Sequence, residues 1–339
     1  MPNNSNHLIS IVLPCYNGEK HVASAIKSCL NQTHKNFELI IVNDCSTDKT
    51  LDIVNLFAEK DKRIKIINNG INKKLPSSLN IGHKQAKGEF ITWTSDDNVL
   101  KTNFLEKLLN GIIEKNVDII YSNYDVISEE GNLKRIHKTG PTEHILFGNK
   151  IGASFLYKKE MFYELSGYDE SLFLLEDYVF CLRASMTFKL HHLDMVLYQY
   201  RLHPESLTAN IDLKKDAKTK HRRGAINMFN KLAIELSWKT ETINFLTNHF
   251  LNKPLNVIDY LRHKQKIKND ILSFNSKNLN DKEIIEGLNS LLRSHLLSDH
   301  CNQNLKTLYQ VFKTEKQLLL HPTFSKKTTF NYILKSLFN

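Results

Sequence analysis

The sequence predicts an α/β fold in which helices flank a Rossmann-like mixed sheet, followed by a helical C-terminal region. Apolar strand-like runs alternate with amphipathic helical segments between residues 8 and 93, a pattern typical of a largely parallel sheet. Polar residues cluster where several of these runs end. Residues 211–339 show helical periodicity instead. A chain of 339 residues can bury one large core or two modest ones.

The alternation begins with an apolar strand at Leu8–Pro14. A helix over Glu19–Asn31 follows, because its apolar residues recur on one stripe. The next predicted elements are strand Phe37–Val42, a helix capped by Ser46, Thr47 and Asp48 that runs to about Lys60, strand Ile64–Ile67, a helix near Leu75–Ala86 and strand Glu89–Trp93. Right-handed crossovers would gather the carboxyl ends of parallel strands along one crevice.

The middle of the chain predicts shorter strands. These are Asp118–Tyr121, Tyr124–Ser128, Leu133–His137 and Ile151–Tyr157. The run Glu129-Glu130-Gly131-Asn132 predicts a hairpin turn between the second and third of them. Glu176 and Asp177 then begin a helix whose next residues are mostly apolar.

The C-terminal region is helical and basic. Residues 211–339 hold 22 Lys and Arg against 11 Asp and Glu, whereas residues 1–210 hold 24 against 25, so the excess positive charge lies in the C-terminal part. We therefore predict two modules, 1–210 and 211–339. Helical stripes recur in three segments: Ile284, Leu288, Leu291, Leu292 and His295; Leu305, Leu308, Val311, Phe312 and Leu319; and Phe330, Ile333, Leu334, Leu337 and Phe338. The last stripe lies beside Lys326, Lys327 and Lys335, so its helix either contacts an anionic membrane or packs on the core.

Several classes of protein are disfavoured. We find neither a signal peptide nor an apolar run near the roughly 18–20 residues that span a bilayer. The five cysteines are odd in number and have no C-x-x-C spacing, which favours a reducing cytoplasm. A dinucleotide-binding oxidoreductase would need G-x-G-x-x-G after its first strand, where this chain has Pro14-Cys15-Tyr16-Asn17. The net charge of +10 suggests nucleic-acid binding, but no nucleic-acid-binding motif accompanies it. A nucleic-acid partner is therefore not expected.

Two adjacent carboxylates, Asp96 and Asp97, follow directly on the strand that ends at Trp93 and on Thr94-Ser95. Hard oxygen ligands at a sheet edge suit a divalent cation that carries a phosphorylated substrate. The alternative is a solvated turn at the end of a strand. The carboxylate pair indicates nucleotide-sugar chemistry.

In these residues the chain resembles the inverting family 2 glycosyltransferases, which have the GT-A fold. The resemblance covers residues 8–208 and rests on the order and spacing of its motifs. They are residues 11–17 (IVLPCYN), 40–50 (IIVNDCSTDKT), 86–91 (AKGEFI), 94–98 (TSDDN), 167–170 (GYDE), Glu176-Asp177 with Arg183, and 200–206 (YRLHPES). Thr94 and Asn43 depart from the family, since many relatives carry Asp at these positions.

The resemblance implies roles for individual residues. Donor contacts are expected from Pro14, Tyr16, Asn17, Glu19, Asp44 and Asp96, with Asp44 accepting the uracil N3–H. Asp97 and His203 would bind Mn²⁺ or Mg²⁺, and Asp177 would be the general base. The structural alternatives are helix capping for Asp44 and Asp48, a surface role for His203, and an ion pair between Asp177 and Arg183.

The implied activity is transfer of one sugar from a nucleotide-sugar, with a UDP-sugar expected, to a bacterial surface glycan or glycolipid. Lipopolysaccharide, capsule and exopolysaccharide are such acceptors. Processive synthases of the family carry Gln-x-x-Arg-Trp and transmembrane helices, and the sequence shows neither. A non-processive cytoplasmic enzyme is therefore expected, in peripheral contact with the membrane if its C-terminal helix does not pack on the core. The alternative is a non-catalytic nucleotide- or nucleic-acid-binding α/β protein with a basic helical tail.

Overall fold

The computed structural model describes residues 6–140, 142–213, 215–274, 277–297, 304–320 and 325–338. The chain forms two compact units. Unit 1 comprises Met1–Ile145 and Asn149–Gly224, and unit 2 comprises Leu146–Gly148 and Ala225–Asn339. Residue 210, where we predicted the boundary, lies inside a helix of unit 1. The prediction that the two parts have separate roles stays a prediction.

Within the described residues, unit 1 is built on a nine-stranded sheet. Its strands are β1 (Ile9–Cys15), β2 (Phe37–Asn43), β3 (Ile64–Asn68), β4 (Phe90–Trp93), β5 (Val99–Leu100), β6 (Ile119–Ile127), β7 (Leu133–His137), β8 (Phe155–Lys158) and β9 (Leu190–Arg201). The order is β3-β2-β1-β4-β8-β6-β9-β5, and β7 pairs with β6. The predicted alternation of strands and helices up to residue 93 is confirmed.

The N-terminal half of the sheet is parallel. β1 pairs in parallel with β2 and β4, and β2 with β3. All seven residues of β1 are buried, as expected for a mostly apolar strand that is covered on both faces. The carboxyl ends of β1, β2 and β4 therefore share one edge, and the loops that follow them carry Tyr16, Asn17, Glu19, Asp44, Asp96 and Asp97. Pro14 lies within β1, and His203 follows β9.

The helices of unit 1 are α1 (Val22–Leu30), α2 (Thr50–Ala58), α3 (Leu75–Lys84), α4 (Phe104–Glu114), α5 (Lys159–Glu164), α6 (Glu176–Thr187) and α7 (Leu207–Leu213). Of the apolar stripe predicted for this helix, α1 buries Val22, Ala25, Ile26 and Cys29, and Leu30 is half-buried. It begins later than predicted because Glu19 bonds to the loop after β2: the backbone N–H of Glu19 donates to Asp48 (3.1 Å).

Three strand predictions were wrong in their bounds. Segments 118–121 and 124–128 are not separate strands but one strand, β6, which continues through Ser122 and Asn123. Those two polar side chains are buried with partners, since the hydroxyls of Ser122 and Ser154 lie 2.6 Å apart and Asn123 donates to Asp194 (2.8 Å). β8 begins at Phe155 rather than at residue 151, because Gly152 has a left-handed backbone (φ 71°).

The described part of unit 2 is helical, as predicted. Its helices are α8 (Lys215–Leu236, which begins in unit 1), α9 (Thr240–Phe250), α10 (Val257–Leu272), α11 (Asp281–Leu296), α12 (Leu305–Thr314), α13 (Gln317–Leu320) and α14 (Lys326–Phe338). Asn256, Asn280 and Asn304 cap α10, α11 and α12 through side-chain oxygens that accept backbone N–H groups. The side chain of Phe338 and all of Cys301 lie outside the described residues. In the described chain, no helix has the length and apolar character needed to cross a membrane.

Candidate active site

The loops after β1 and β2 are joined by reciprocal hydrogen bonds. The Asn17 side-chain oxygen accepts from the backbone N–H of Thr47 (2.8 Å), and the Glu19 carboxylate accepts from that of Lys49 (2.9 Å). In return, the backbone N–H of Asn17 donates to Ser46 Oγ (3.0 Å). The predicted donor residues Asn17 and Glu19 thus fix the shape of this edge through these side chains.

Asp48 and Asp44 have different partners. Asp48 accepts from the backbone N–H of Thr50 (3.0 Å), the first residue of α2. The N-cap residue of α2 is Lys49, which makes no side-chain cap hydrogen bond, so the predicted cap by Ser46, Thr47 and Asp48 was wrong. Asp44 is buried and holds the loop before α3, because it accepts from the backbone N–H groups of Lys73 and Lys74, each at 2.8 Å.

The side chain of Asn69 also donates to Asp44 Oδ1 (2.8 Å). Asn69 and Lys73 donate to Oδ1 and only Lys74 donates to Oδ2 among the described residues, which leaves an acceptor position on Oδ2, since a carboxylate oxygen accepts two hydrogen bonds. Pro14 lies buried in the adjacent strand β1, and the side chain of Tyr16 beyond it is 49% exposed. An open aromatic ring and a carboxylate with acceptor capacity are suited to a nucleobase.

Asp96 lies under the loop after β1. Its Oδ2 accepts the backbone N–H of Tyr16 (3.1 Å), and a Cβ on Gly18 would come within 2.3 Å of the same oxygen. Only a residue without a side chain fits there unless Asp96 moves. Burial, and secondarily the charge of Asp97, raises the pKa of Asp96 to about 7.

Asp97 and His203 form a close pair. His203 Nε2 lies 3.0 Å from Asp97 Oδ2, and this hydrogen bond raises the pKa of His203. The other oxygen, Asp97 Oδ1, is buried and has no partner among the residues that the structure describes. Arg201 fixes the pair, because its Nε donates to the carbonyl of Asp97 (2.8 Å) at the end of β9.

The Asp97–His203 pair fits a divalent cation. A buried carboxylate oxygen without a partner, next to an imidazole, is an available ligand. In the described part of the chain, no three His, Cys, Asp or Glu side chains come together as a metal site. A cation that is held mainly by substrate phosphates needs few protein ligands. Asp97 and His203 would supply two.

The sequence did not identify His21 and Glu129 as neighbours of this pair. The ring of His21 lies 5.2 Å from that of His203, and burial lowers the pKa of His21. Arg201 Nη1 donates to the carbonyl of Glu129 (2.6 Å), and the Glu129 carboxylate pairs with Lys20. Only the fold brings the predicted hairpin turn to the Asp97–His203 pair; no spacing in the sequence indicates it.

Asp177 stands at the first turn of α6, half-buried. It accepts the backbone N–H of Tyr178 (2.7 Å) and the side-chain N–H of Asn149 (3.1 Å). The guanidinium of Arg183 donates to the carbonyl of Leu165 (3.0 Å), so the described structure does not show the ion pair with Asp177 that the sequence left open. Asn149 was not predicted, because it belongs to a segment without a family motif.

Glu176 and Asp177 are in different environments. Burial raises the pKa of both carboxyl groups, and the charge of Asp177 further raises that of Glu176. Glu176 is 3% exposed, and its Oε2 has no partner among the described residues. Asp177 also receives hydrogen bonds from Tyr178 and Asn149 that favour its ionised form, so Glu176 holds a proton more readily than Asp177 does.

Comparison with known proteins identifies the family. The model of Glycosyl transferase family 2 matches residues 10–180, half of the chain, and these residues hold the loops after β1, β2 and β4 together with Asp177. The chain belongs to glycosyltransferase family 2. Membership of this family makes the chain a transferase.

Relatives in Haemophilus influenzae carry the name glycosyltransferase. One uncharacterised glycosyltransferase is 29% identical over 320 residues, which are 89% of this chain and 95% of that protein. Another is 39% identical over 125 residues, 37% of this chain and 50% of the relative. The chain thus spans almost the whole of one relative and half of the other.

Solved structures show that the fold is GT-A. Residues 1–349 of S. aureus TarS in complex with UDP-GlcNAc superpose with a TM-score of 0.60 at 18% identity, over 98% of this chain and 93% of that one. The mannosyltransferase PcManGT from Pyrobaculum calidifontis, in complex with GDP-Man and Mn²⁺, gives a TM-score of 0.53 at 13% identity, over 96% and 85%. The predicted fold class is confirmed, whereas the individual site residues stay predictions.

Proposed function

We propose that this enzyme is a metal-dependent, inverting and non-processive hexosyltransferase that moves one sugar from a nucleotide-sugar to an acceptor hydroxyl. The observation that carries the proposal is the carboxylate of Asp97. One of its oxygens lies against His203, and the other is buried without a described partner. A carboxylate placed in this way is suited to a cation that accompanies a diphosphate.

The expected donor is a UDP-sugar. Asp44 Oδ2 keeps an acceptor position for the uracil N3–H, and the exposed ring of Tyr16 offers a stacking surface beside it. The TarS and PcManGT structures hold UDP-GlcNAc and GDP-Man, respectively, in the same fold. Pro14, Asn17, Glu19 and Asp96 would shape the rest of the donor pocket.

Asp97 and His203 would hold Mn²⁺ or Mg²⁺. When bound, the cation would offset the negative charge that develops on the departing nucleoside diphosphate. The burial of Asp97 and the bond from Arg201 to its carbonyl would keep the carboxylate fixed before the donor arrives. Thr94, whose hydroxyl lies 2.9 Å from that of Tyr198, adds no charge to this region.

Asp177 would act as the general base. Its carboxylate would take the proton of the acceptor hydroxyl while that oxygen forms a bond to the anomeric carbon. The bond from that carbon to the diphosphate oxygen breaks at the same time, and its electron pair leaves with the nucleoside diphosphate. A single displacement of this kind inverts the anomeric centre. Asn149 would orient the base through its hydrogen bond.

The acceptor would be a hydroxyl of a bacterial surface glycan or glycolipid, such as lipopolysaccharide or capsule. A lipid-borne acceptor would place the enzyme at the inner face of the plasma membrane, as a cytoplasmic protein in peripheral contact. Residues 211–339 would then serve association with that surface, a role in keeping with their excess positive charge.

The metal assignment is tested by measuring nucleoside diphosphate release from a panel of UDP-, GDP- and dTDP-sugars with Mn²⁺, with Mg²⁺ and with excess chelator. We expect release to depend on the cation and to be lost in Asp97→Asn. Asp52→Asn removes an exposed carboxylate on α2 and should leave release unchanged. Full release in excess chelator would refute the metal assignment.

A further inference from the structure

Two helices of unit 2 leave apolar side chains exposed. On α12, Leu305, Tyr309 and Phe312 are 56%, 65% and 57% exposed. On α14, Phe330, Leu334 and Leu337 are 60%, 36% and 49% exposed. Both sets have the spacing i, i+4, i+7, so each set occupies one face of its helix.

The opposite faces of these helices are buried and partly polar. α12 buries Thr307 and Val311, and α14 buries Thr329, Tyr332 and Ser336. The hydroxyl of Thr329 accepts a hydrogen bond from Arg293 on α11 (2.9 Å). α14 thus turns hydroxyl groups inward and its apolar face outward, which is the reverse of an ordinary surface helix. Exposed apolar rows of this kind indicate an interaction surface.

The exposed charges of these two helical segments are of one sign. Residues 304–320 and 325–338 contain six lysines and a single acid, Glu315. Glu315 is 1% exposed and lies 3.3 Å from Lys264 and 2.9 Å from Lys268, so it is neutralised inside unit 2. The exposed side of the two segments therefore presents lysines and apolar side chains.

We propose that α12 and α14 form a docking surface for an anionic phospholipid membrane. Helices that lie in the membrane interface bury their apolar face among the acyl chains, while lysines reach the lipid phosphates. A second copy of this chain is a poorer occupant, because a two-fold contact would set these lysines against their own copies, and the two segments hold no exposed acid to pair with them. This inference rests on the proposed function only where it explains access to a lipid-borne acceptor. Binding to the membrane itself is measured without sugar transfer.

The test uses the full chain and co-sedimentation with vesicles of phosphatidylglycerol and phosphatidylcholine. Two double variants remove apolar contacts: Phe330→Ser with Leu334→Ser on α14, and Tyr309→Ser with Phe312→Ser on α12. Each pair should lower the vesicle partition coefficient by about tenfold or more, since burial of even one such side chain contributes about that factor. Vesicles of phosphatidylcholine alone should bind the unmodified protein much more weakly.

Lysine variants test the charge contribution. Lys326→Gln and Lys327→Gln should each weaken binding to the anionic vesicles about fivefold, and added salt should reduce this difference. Two control variants, Ile234→Ser on α8 and Lys282→Gln on α11, change an 82% exposed apolar residue and an 85% exposed lysine side chain. Both controls should bind the vesicles like the unmodified protein.

Three results would overturn the proposal. The first is no binding of the unmodified protein to anionic vesicles, and the second is vesicle binding by both serine pairs equal to that of the unmodified protein. The third is a dimer in sedimentation equilibrium that the serine pairs dissociate without any loss of vesicle binding. The last result would assign the surface to a second copy. Nucleotide-sugar turnover in solution should persist in all these variants. Absence of turnover in the unmodified protein would count against the proposed function and leave the vesicle result standing.

Discussion

Replacing Asp177 by Asn separates catalysis from binding at this site. The variant keeps the size of the side chain and the hydrogen bond that Oδ1 accepts from the backbone N–H of Tyr178. It loses the acceptor facing Asn149, because the new amide N–H₂ would meet another donor. That loss is worth about 1 kcal/mol of folding free energy, so the variant should fold.

The kinetic effect should be much larger than the effect on stability. A general base typically contributes about 10²–10⁴ to the rate, so kcat for sugar transfer or donor hydrolysis should fall by about that factor, which corresponds to roughly 3–5 kcal/mol in the barrier. Affinity for UDP should change by less than about twofold, since the predicted nucleotide contacts come from other loops. Initial rates of UDP release and calorimetric titration with UDP measure the two quantities.

Glu176→Gln is the matched control. Because Glu176 is the member of the pair that keeps its proton, Gln replaces it without a change of charge, and kcat at neutral pH should stay near that of the unmodified enzyme. Near-normal turnover in Asp177→Asn, or a comparable loss in Glu176→Gln, would show that the proton-accepting role has been given to the wrong carboxylate.

Two further predictions concern the loops around the donor pocket. Gly18→Ala should weaken UDP binding by about tenfold or more, because its Cβ would displace the carboxylate of Asp96. Gly70→Ala, whose Cβ meets nothing within 4 Å, should bind UDP normally. Equal affinities of the two variants for UDP would refute the steric argument. In the metal-free protein, NMR titration should give His203 a pKa above 6.5 that falls towards 6.5 in Asp97→Asn. The stabilisation of the folded state by the Asp97–His203 pair is fully present below pH 6.5 and is lost as the pH rises through the raised pKa of His203. An unshifted pKa of His203 would contradict this prediction.

The parallel half of the sheet could be predicted from the sequence for a physical reason. Strands buried on both faces are mostly apolar, and β1 and β2 are apolar except for Ser10, Glu38 and Asn43. The strand β9 was missed, because its residues mix polar and apolar types over Leu190–Arg201 and most are half-buried. Its register against β6 also shifts near Asn123, so no regular alternation survives.

The candidate site was predictable where its residues lie in the motifs that follow strands. Asp44, Asp96 and Asp97 are such residues. Asn149 and Glu129 were not, because they reach the site from loops whose placement depends on the packing of distant strands. The apolar stripe of α14 was predicted correctly as a stripe, but the sequence did not show that it faces solvent. That depends on which groups of unit 2 pack beneath the helix.

The configuration of the sugar released from an α-linked UDP-sugar tests the proposed mechanism most directly. Water can replace the unknown acceptor, so ¹H NMR of the first minutes of hydrolysis, before mutarotation, reports the displacement itself. A single displacement assisted by Asp177 predicts that the β-anomer forms first, in the presence of Mn²⁺ and at a rate that Asp177→Asn reduces. Release of the α-anomer first would show retention and contradict the proposed mechanism.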